Sequence, residues 1–493
     1  MPLQFIFGPS GSGKSYKLYR QIIEDSMRYP TREFIVLVPE QFTMQTQKDL
    51  VSMHPRKGIM NIDILSFARL AYRVFEETGG EKLPVLDDEG KNLILRKIAG
   101  EYEPQLKVLR GNIKKLGYIS EVKSVISEFT QYDIGEEEID AFMETLGKES
   151  RLYYKLQDIK LLYKGFTDYL EKKYITKEEL LDVLARKVKE SKILKNSTVV
   201  LDGFTGFTPV QNRLLKELML HCRDVMITAT IDRRENPYIY RTPYQLFALS
   251  KQMVTGLVQI AKDNRIEVKD PVWCEDEPVY RFRDNASMAF LEKNLFRYTK
   301  EVYVKEQDEI SIHVARNPKE EALALAGNMR ALVRSEGLRY RDIGVIVSNI
   351  DMYGDVLERA FSQYEIPVFM DHKRNILQNP YIEYIRSLLN LVDQNFSYES
   401  VFRFLRTNLS GFTWDEVDTL ENYCIGLGIK GYKKWQEKWI RRLSNTKEEE
   451  LEKLNHLRVA FVEKLDEFVF VLKQRKKTVK DITLAVYDLM VKE

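Results

Sequence analysis

Apolar runs rich in β-branched or aromatic residues recur along the first half of the chain, each followed by turn residues and then a helical period. They are Leu3–Phe7, Phe34–Val38, Ile62–Leu65, Thr198–Leu201 and Val225–Thr230. Such short, nearly continuous runs predict buried parallel strands, and so an α/β fold. Between about residues 80 and 195 that rhythm gives way to long amphipathic helices, for example Lys91–Ala99 and Arg151–Lys173, read as a helical insertion. Residues 231–308 are mixed, and Pro237, Pro243, Pro271 and Pro278 are expected to break any long element there. A second α/β unit is expected from Glu309, with strands Ile310–Val314, Ile343–Val347 and Pro367–Phe369 around helices Glu320–Glu336 and Tyr353–Tyr364. From Pro380 onward the pattern is helical again, so the second unit shows few strands and reads as incomplete, cut off within a larger protein.

The first apolar run leads straight into Gly8-Pro9-Ser10-Gly11-Ser12-Gly13-Lys14-Ser15, and a helical stretch from Tyr16 to Met27 follows. This is GxxxxGK[ST] in the strand–loop–helix setting that a phosphate-binding loop requires. Glycines let backbone N–H groups converge on phosphate oxygens, Lys14 supplies a point charge, and Ser15 can place its hydroxyl on Mg²⁺. ATP with Mg²⁺ is therefore the expected ligand of residues 8–15, and the alternative is an ordinary strand–helix turn.

Hydrolysis by such a site usually needs a strand ending in Asp-Glu, the first for the Mg²⁺ shell and the second for the attacking water. The run Thr198–Leu201 ends at Asp202, a candidate metal-side carboxylate, but Gly203 follows and can do no acid–base work. Asp202 is equally readable as a turn residue before glycine. No catalytic residue is assigned. Stretches after other runs combine phenylalanine with polar donors: Gln41-Phe42-Thr43, Phe67 with Arg69, and Phe204 with Phe207. Aromatic faces stack bases and donors hold phosphates, so these residues are candidates for single-stranded DNA contact. The competing reading makes the rings core and the polar groups helix caps. In register around one sheet edge, where open α/β folds bind ligands, they favour a DNA groove.

Composition narrows the class. The 493 residues carry 76 basic and 74 acidic side chains, so no global field announces nucleic acid and any groove must be local. The 3 cysteines, Cys222, Cys274 and Cys424, are far apart and suit reduced thiols; no metal site is expected in this chain. No run has the length of a membrane span and no secretory signal opens the chain, so a cytoplasmic protein without membrane contact is expected.

The order of motifs resembles the AddB family, the B subunits of bacterial AddAB ATP-dependent helicase–deoxyribonucleases and relatives of the UvrD/RecB helicases. The resemblance rests on the loop 8–15, Pro39-Glu40-Gln41-Phe42-Thr43, Leu65-Ser66-Phe67-Ala68-Arg69-Leu70-Ala71, and Val199 through Gln211 with its Asp202-Gly203-Phe204 core. The stretch Ile312–Asp371 resembles the opening of a second motor lobe. It implies a RecA-like P-loop lobe over 1–300 with its insertion at 80–195, a second RecA-like lobe starting over 301–380, and a helical insertion over 381–493. It also implies a heterodimer with an AddA-type helicase–nuclease subunit that processes double-strand DNA ends for homologous recombination. In that family the B subunit resembles a motor turned scanner, reading a regulatory sequence in the 3′ strand. Its 5′-to-3′ exonuclease, nuclease metal and iron–sulfur cluster are expected only in a C-terminal part outside these residues. Departures from working helicases agree: Gly203 stands in place of a catalytic Glu, Thr228–Asp232 lacks the γ-phosphate-sensing stretch, and Ser348-Asn349 stands where an arginine would. An adenine-gripping segment upstream of the loop has no room before Gly8. An active superfamily 1 helicase and a small-molecule P-loop phosphotransferase are the competing functions.

Overall fold

The structure, a computed structural model, describes residues 2–79, 84–113, 115–171, 173–274, 276, 278–370, 376–443 and 447–491. Asp371, which closes the second-lobe stretch, lies outside them. The chain divides into two units, Met1–Ile312 and His313–Glu493.

In the first unit the strands are β1 (Leu3–Gly8), β2 (Glu33–Leu37), β3 (Ile62–Leu65), β4 (Val85–Leu86), β5 (Ile175–Thr176), β6 (Ser197–Leu201), β7 (Asp224–Thr230) and β8 (Val272–Trp273). β4 and β5 pair with each other; the rest form one sheet in the order β3-β2-β6-β7-β1-β8. Every pair in it is parallel. A parallel sheet needs crossovers, and helices supply them on both faces. They include α1 (Lys14–Arg28), α2 (Thr43–Met53) and α3 (Phe67–Thr78).

Side chains alternate along each strand, and here both alternations are apolar because both faces are covered. Leu3, Phe5, Phe7, Ile35, Leu37, Val199, Leu201 and Ile227 enter one core. Ile6, Phe34, Val36, Val200 and Met226 enter the other, against Leu18, Ile22 and Ile23 of α1 and Leu50 of α2. Each such side chain, fully buried, contributes about 1.5–3 kcal/mol.

The insertion comprises α4 (Asp88–Tyr102), α5 (Leu116–Gln131), α6 (Glu136–Glu144), α7 (Arg151–Leu170) and α8 (Glu179–Lys187), and α9 (Lys192–Lys195) leads back to β6. It has its own core, including Leu95, Ile98, Ile126, Leu162 and Phe166. Leu180 and Leu184 of α8 return to the main core. Then come α10 (Pro209–His221), α11 (Ala248–Asp263) and α12 (Ala286–Asn294). The expectation that prolines keep residues 231–308 free of long elements fails at α11. Pro243 and Pro271 lie outside that helix, and Met253, Val254, Leu257 and Ala261 bury one of its faces in the main core.

In the second unit α13 (Pro318–Ser335) and α14 (Ile350–Gln363) pack through Ala322, Ala326 and Met329 against Leu357, Ala360 and Phe361. Next come α15 (Pro380–Asp393), α16 (Tyr398–Leu405), α17 (Trp414–Leu427), α18 (Tyr432–Gln436), α19 (Glu448–Lys473) and α20 (Val479–Val491). Their core is aromatic, with Tyr384, Phe404, Tyr423, Trp435 and Phe461. The runs 310–314, 343–347 and 367–369, expected as strands, carry no ladder in the structure. Ile312, Ile346 and Phe369 are at least 90% exposed. A parallel strand gains its hydrogen bonds only from neighbours on the same sheet, and these short apolar runs do not assemble one among the described residues.

Candidate functional site

Residues 8–15 leave the carboxyl end of β1 and enter α1 through backbone that only glycine adopts without strain. Gly11 has φ +81° and Gly13, the residue capping α1, has φ +84°. A Cβ on Gly8 would lie 2.4 Å from Ser12 Oγ, and one on Gly11 would lie 2.8 Å from the Cβ of Arg281. The Arg281 N–H also donates to the Gly11 carbonyl at 3.1 Å. The loop is held on both flanks, by Ile231 N–H on the Gly8 carbonyl at 3.1 Å and Cys274 N–H on the Phe7 carbonyl at 2.8 Å.

Lys14 extends over the loop, and its ammonium donates to the Gly8 and Pro9 carbonyls, each at 2.9 Å. Burial lowers its pKa, opposed by the negative charge of Asp202. Ser12 Oγ is buried and has no hydrogen-bond partner. An unpaired buried hydroxyl beside a helix N-terminus, with a cation folded over it, fits a phosphate group.

Asp202 follows β6 and is buried. Its carboxylate accepts hydrogen bonds from Tyr19 Oη of α1 at 2.7 Å and from Thr228 Oγ1 of β7 at 2.6 Å. Burial, then the Asp202 charge, holds the Tyr19 phenol well above its usual pKa. Gly203 has φ +80°, so the chain turns sharply after the carboxylate. The Asp202 charge also acts on the Lys14 ammonium of the phosphate loop, and Ser15 stands next to Lys14 in the first turn of α1. Tyr19 and Thr228 carry no motif that sequence reasoning could have flagged; each meets Asp202 only through the fold.

The aromatic candidates leave β2, β3 and β6, which are neighbours in the sheet. The rings of Phe67, Phe204 and Phe207 form one cluster, with centroids 5.4 Å apart for Phe67–Phe204, 5.3 Å for Phe204–Phe207 and 6.4 Å for Phe67–Phe207. Phe67 is buried in the main core, while Phe204 and Phe207 are half-buried against it. Phe42 stands on a single turn and is 48% exposed; Gln41 and Arg69 are exposed. Thr43 is buried and its hydroxyl donates to the Glu40 carbonyl at 3.0 Å, a local bond that ties the turn. The sheet edge thus divides, with the aromatic loops on its β3-β2-β6 half, the phosphate loop on its β7-β1-β8 half, and Asp202 at the seam.

Cys222, Cys274 and Cys424 are each buried and outside any disulfide, and no group of His, Cys, Asp and Glu suited to a metal ion occurs among the described residues. No helix among them is long and apolar enough to cross a membrane.

Residues 5–292 match the family model described as ADDB, N-terminal, and residues 283–489 match that of the UvrD-like helicase C-terminal domain. Among curated relatives, the B subunit of the ATP-dependent helicase/deoxyribonuclease of Lachnoclostridium phytofermentans is 43% identical over 99% of this chain and 43% of its own length. The corresponding B subunits of Clostridium novyi and Clostridium tetani are 34% and 35% identical over 99% and 100% of this chain, and 42% and 44% of theirs. The chain therefore spans less than half the length of these relatives.

Proposed function

Because this chain belongs to the AddB family, whose members are B subunits of ATP-dependent helicase/deoxyribonucleases, we propose that it binds ATP and single-stranded DNA on one sheet edge. ATP is held by residues 8–15. Backbone N–H groups at the start of α1 and the Lys14 ammonium meet the phosphates, and Ser15 with Asp202 holds Mg²⁺, which neutralises phosphate charge when bound. Gly203 offers no general base next to Asp202, so the nucleotide serves as a structural or regulatory ligand.

The single strand lies along Gln41, Phe42, Arg69, Phe204 and Phe207, while the buried Thr43 ties the turn that carries Phe42 and the buried Phe67 backs the other two rings. Phe42 offers an exposed face, the half-buried Phe204 and Phe207 rings offer edges, and Gln41 and Arg69 offer donors. The observation that carries the reading is the packing of Phe67, which follows β3, against Phe204 and Phe207, which follow Asp202 at the end of β6. Occupancy of one half of the edge can then be felt by the other through the turn at residues 202–204.

In the whole protein this part scans the 3′ strand for a regulatory sequence, beside an AddA-type helicase–nuclease subunit that processes double-strand ends for recombination. That the relatives are B subunits supports a partner, and their length leaves room for the nuclease metal and iron–sulfur cluster elsewhere. The test is binding of Mg-ATP and of a fluorescent oligothymidylate by the chain, with Lys14→Ala as control. ATP binding that Lys14→Ala removes, with DNA binding retained, is expected. A chain that binds ATP but no single-stranded DNA, alone or with its partner, overturns the DNA reading. DNA-stimulated turnover above about 1 s⁻¹, within the usual enzyme range, points instead to a working motor.

A further inference from the structure

A cavity of about 530 Å³ opens beside Pro9, on the β8 flank of the phosphate loop. Its walls include Trp273 at the end of β8, Phe290, Glu292 and Lys293 from α12, and Arg233 after β7. We infer that this cavity receives the base and ribose of a purine nucleoside triphosphate whose phosphates lie in residues 8–15. The inference rests on the nucleotide-binding reading of that loop.

Direction along the sheet edge carries the argument. β1 lies between β7 and β8, and Asp202 follows β6, beyond β7. A nucleotide whose terminal phosphate and Mg²⁺ face Asp202 must run its other end toward β8. There the loop's second residue, Pro9, is already part of the cavity wall.

The walls have the chemistry of a base site. The Trp273 indole is braced against Phe7, with centroids 4.9 Å apart, and Phe290 against Tyr303 at 5.3 Å. Cavities that bind small ligands span about 300–1,000 Å³ and pair apolar walls with a few fixed polar groups. The wall is also built rather than accidental. Arg234 donates to the Lys293 carbonyl at 3.1 Å, which ties the loop after β7 to α12, and Asp232 accepts from Arg297 at 2.9 Å. Glu292 lines the same wall, and burial, then the neighbouring Asp232, raises the pKa of its carboxyl.

The test separates base from phosphate. Calorimetric titration of the chain with Mg-ATP and with Mg-tripolyphosphate is repeated for Phe290→Ala, for Ala289→Trp, which fills the cavity, and for Lys14→Ala. Both cavity variants are expected to weaken ATP about fivefold or more, the low end of a base–aromatic stacking contact, and to leave tripolyphosphate unchanged. Lys14→Ala is expected to weaken both ligands. Trp273 gives an independent readout, because ATP should quench its fluorescence, tripolyphosphate should not, and Trp273→Phe should abolish the change. ATP affinity that is unaltered in both cavity variants, yet lost in Lys14→Ala, overturns the base site and leaves the phosphate loop standing. A chain that binds neither ligand overturns both.

Discussion

Asp202 holds buried hydroxyls from Tyr19 at 2.7 Å and Thr228 at 2.6 Å, and replacing it in two ways separates that structural work from its charge. Asp202→Leu leaves both hydroxyls in the interior without this acceptor. Tyr19 keeps only a long contact to Thr46 Oγ1 at 3.5 Å. Each orphaned buried group costs about 1–3 kcal/mol, so the leucine variant should lose about 2–6 kcal/mol. Asp202→Asn has the same shape. Its carbonyl accepts from one hydroxyl and its amide donates to the other, which limits the loss to about 0.5–1.5 kcal/mol. A chain of two units has no single unfolding free energy, so the assay is hydrogen exchange of peptides from β6 and β7, which reads the first unit alone. Both variants should also lose the Mg²⁺-dependent part of ATP binding. Equal destabilisation by asparagine and leucine would show that charge, rather than the paired hydroxyls, holds the strand end. A leucine variant as stable as the parent would refute the network outright.

Tyr19 predicts an alkaline effect whose sign follows from its raised pKa in the folded state. Its stabilising contribution is whole below about pH 10, the unfolded value, and falls above it by about 1.4 kcal/mol per pH unit. Tyr19→Phe should remove that slope from a stability–pH profile, and an unchanged alkaline limb would count against a shielded phenol. Phe42→Ala removes an exposed ring, so stability should stay within about 0.5 kcal/mol while oligothymidylate affinity at fixed salt drops by about 1–3 kcal/mol. Phe204→Ala should lose both stability and affinity, because that ring also packs on Phe67 and Phe207. In the insertion, the buried Asp158 carboxylate accepts from the backbone N–H groups of Lys107, Val108 and Leu109 at 2.7–3.1 Å. Asp158→Ala orphans them and should cost about 3 kcal/mol or more, seen as faster exchange over residues 106–113 with β1 and β7 unaffected.

What could be read in advance was whatever local pattern carries. The expected first-unit strands form within a residue at each end, since a short apolar run between turn signals is itself the condition for a doubly covered strand. The phosphate loop was legible because its glycines, lysine and serine are contiguous. The edge strand β8 was not, because only two of its residues pair and Pro271 precedes them. α11 was hidden by prolines that bracket it instead of interrupting it. In the second unit, apolar periodicity marked segments able to become strands but could not supply their neighbours.

The sequence by itself determined the α/β class of the first unit, the loop 8–15, and a carboxylate at the end of one strand and phenylalanines after others. These follow from residue type and spacing over a few positions. Tertiary structure alone decided which of those groups meet. Tyr19 reaches Asp202 across 183 residues of chain, and Arg281 and Trp273 come to the phosphate loop from beyond the insertion. Strand order set this, since parallel pairing puts every carboxyl end on one edge while crossover connections, which no local pattern encodes, choose the neighbours.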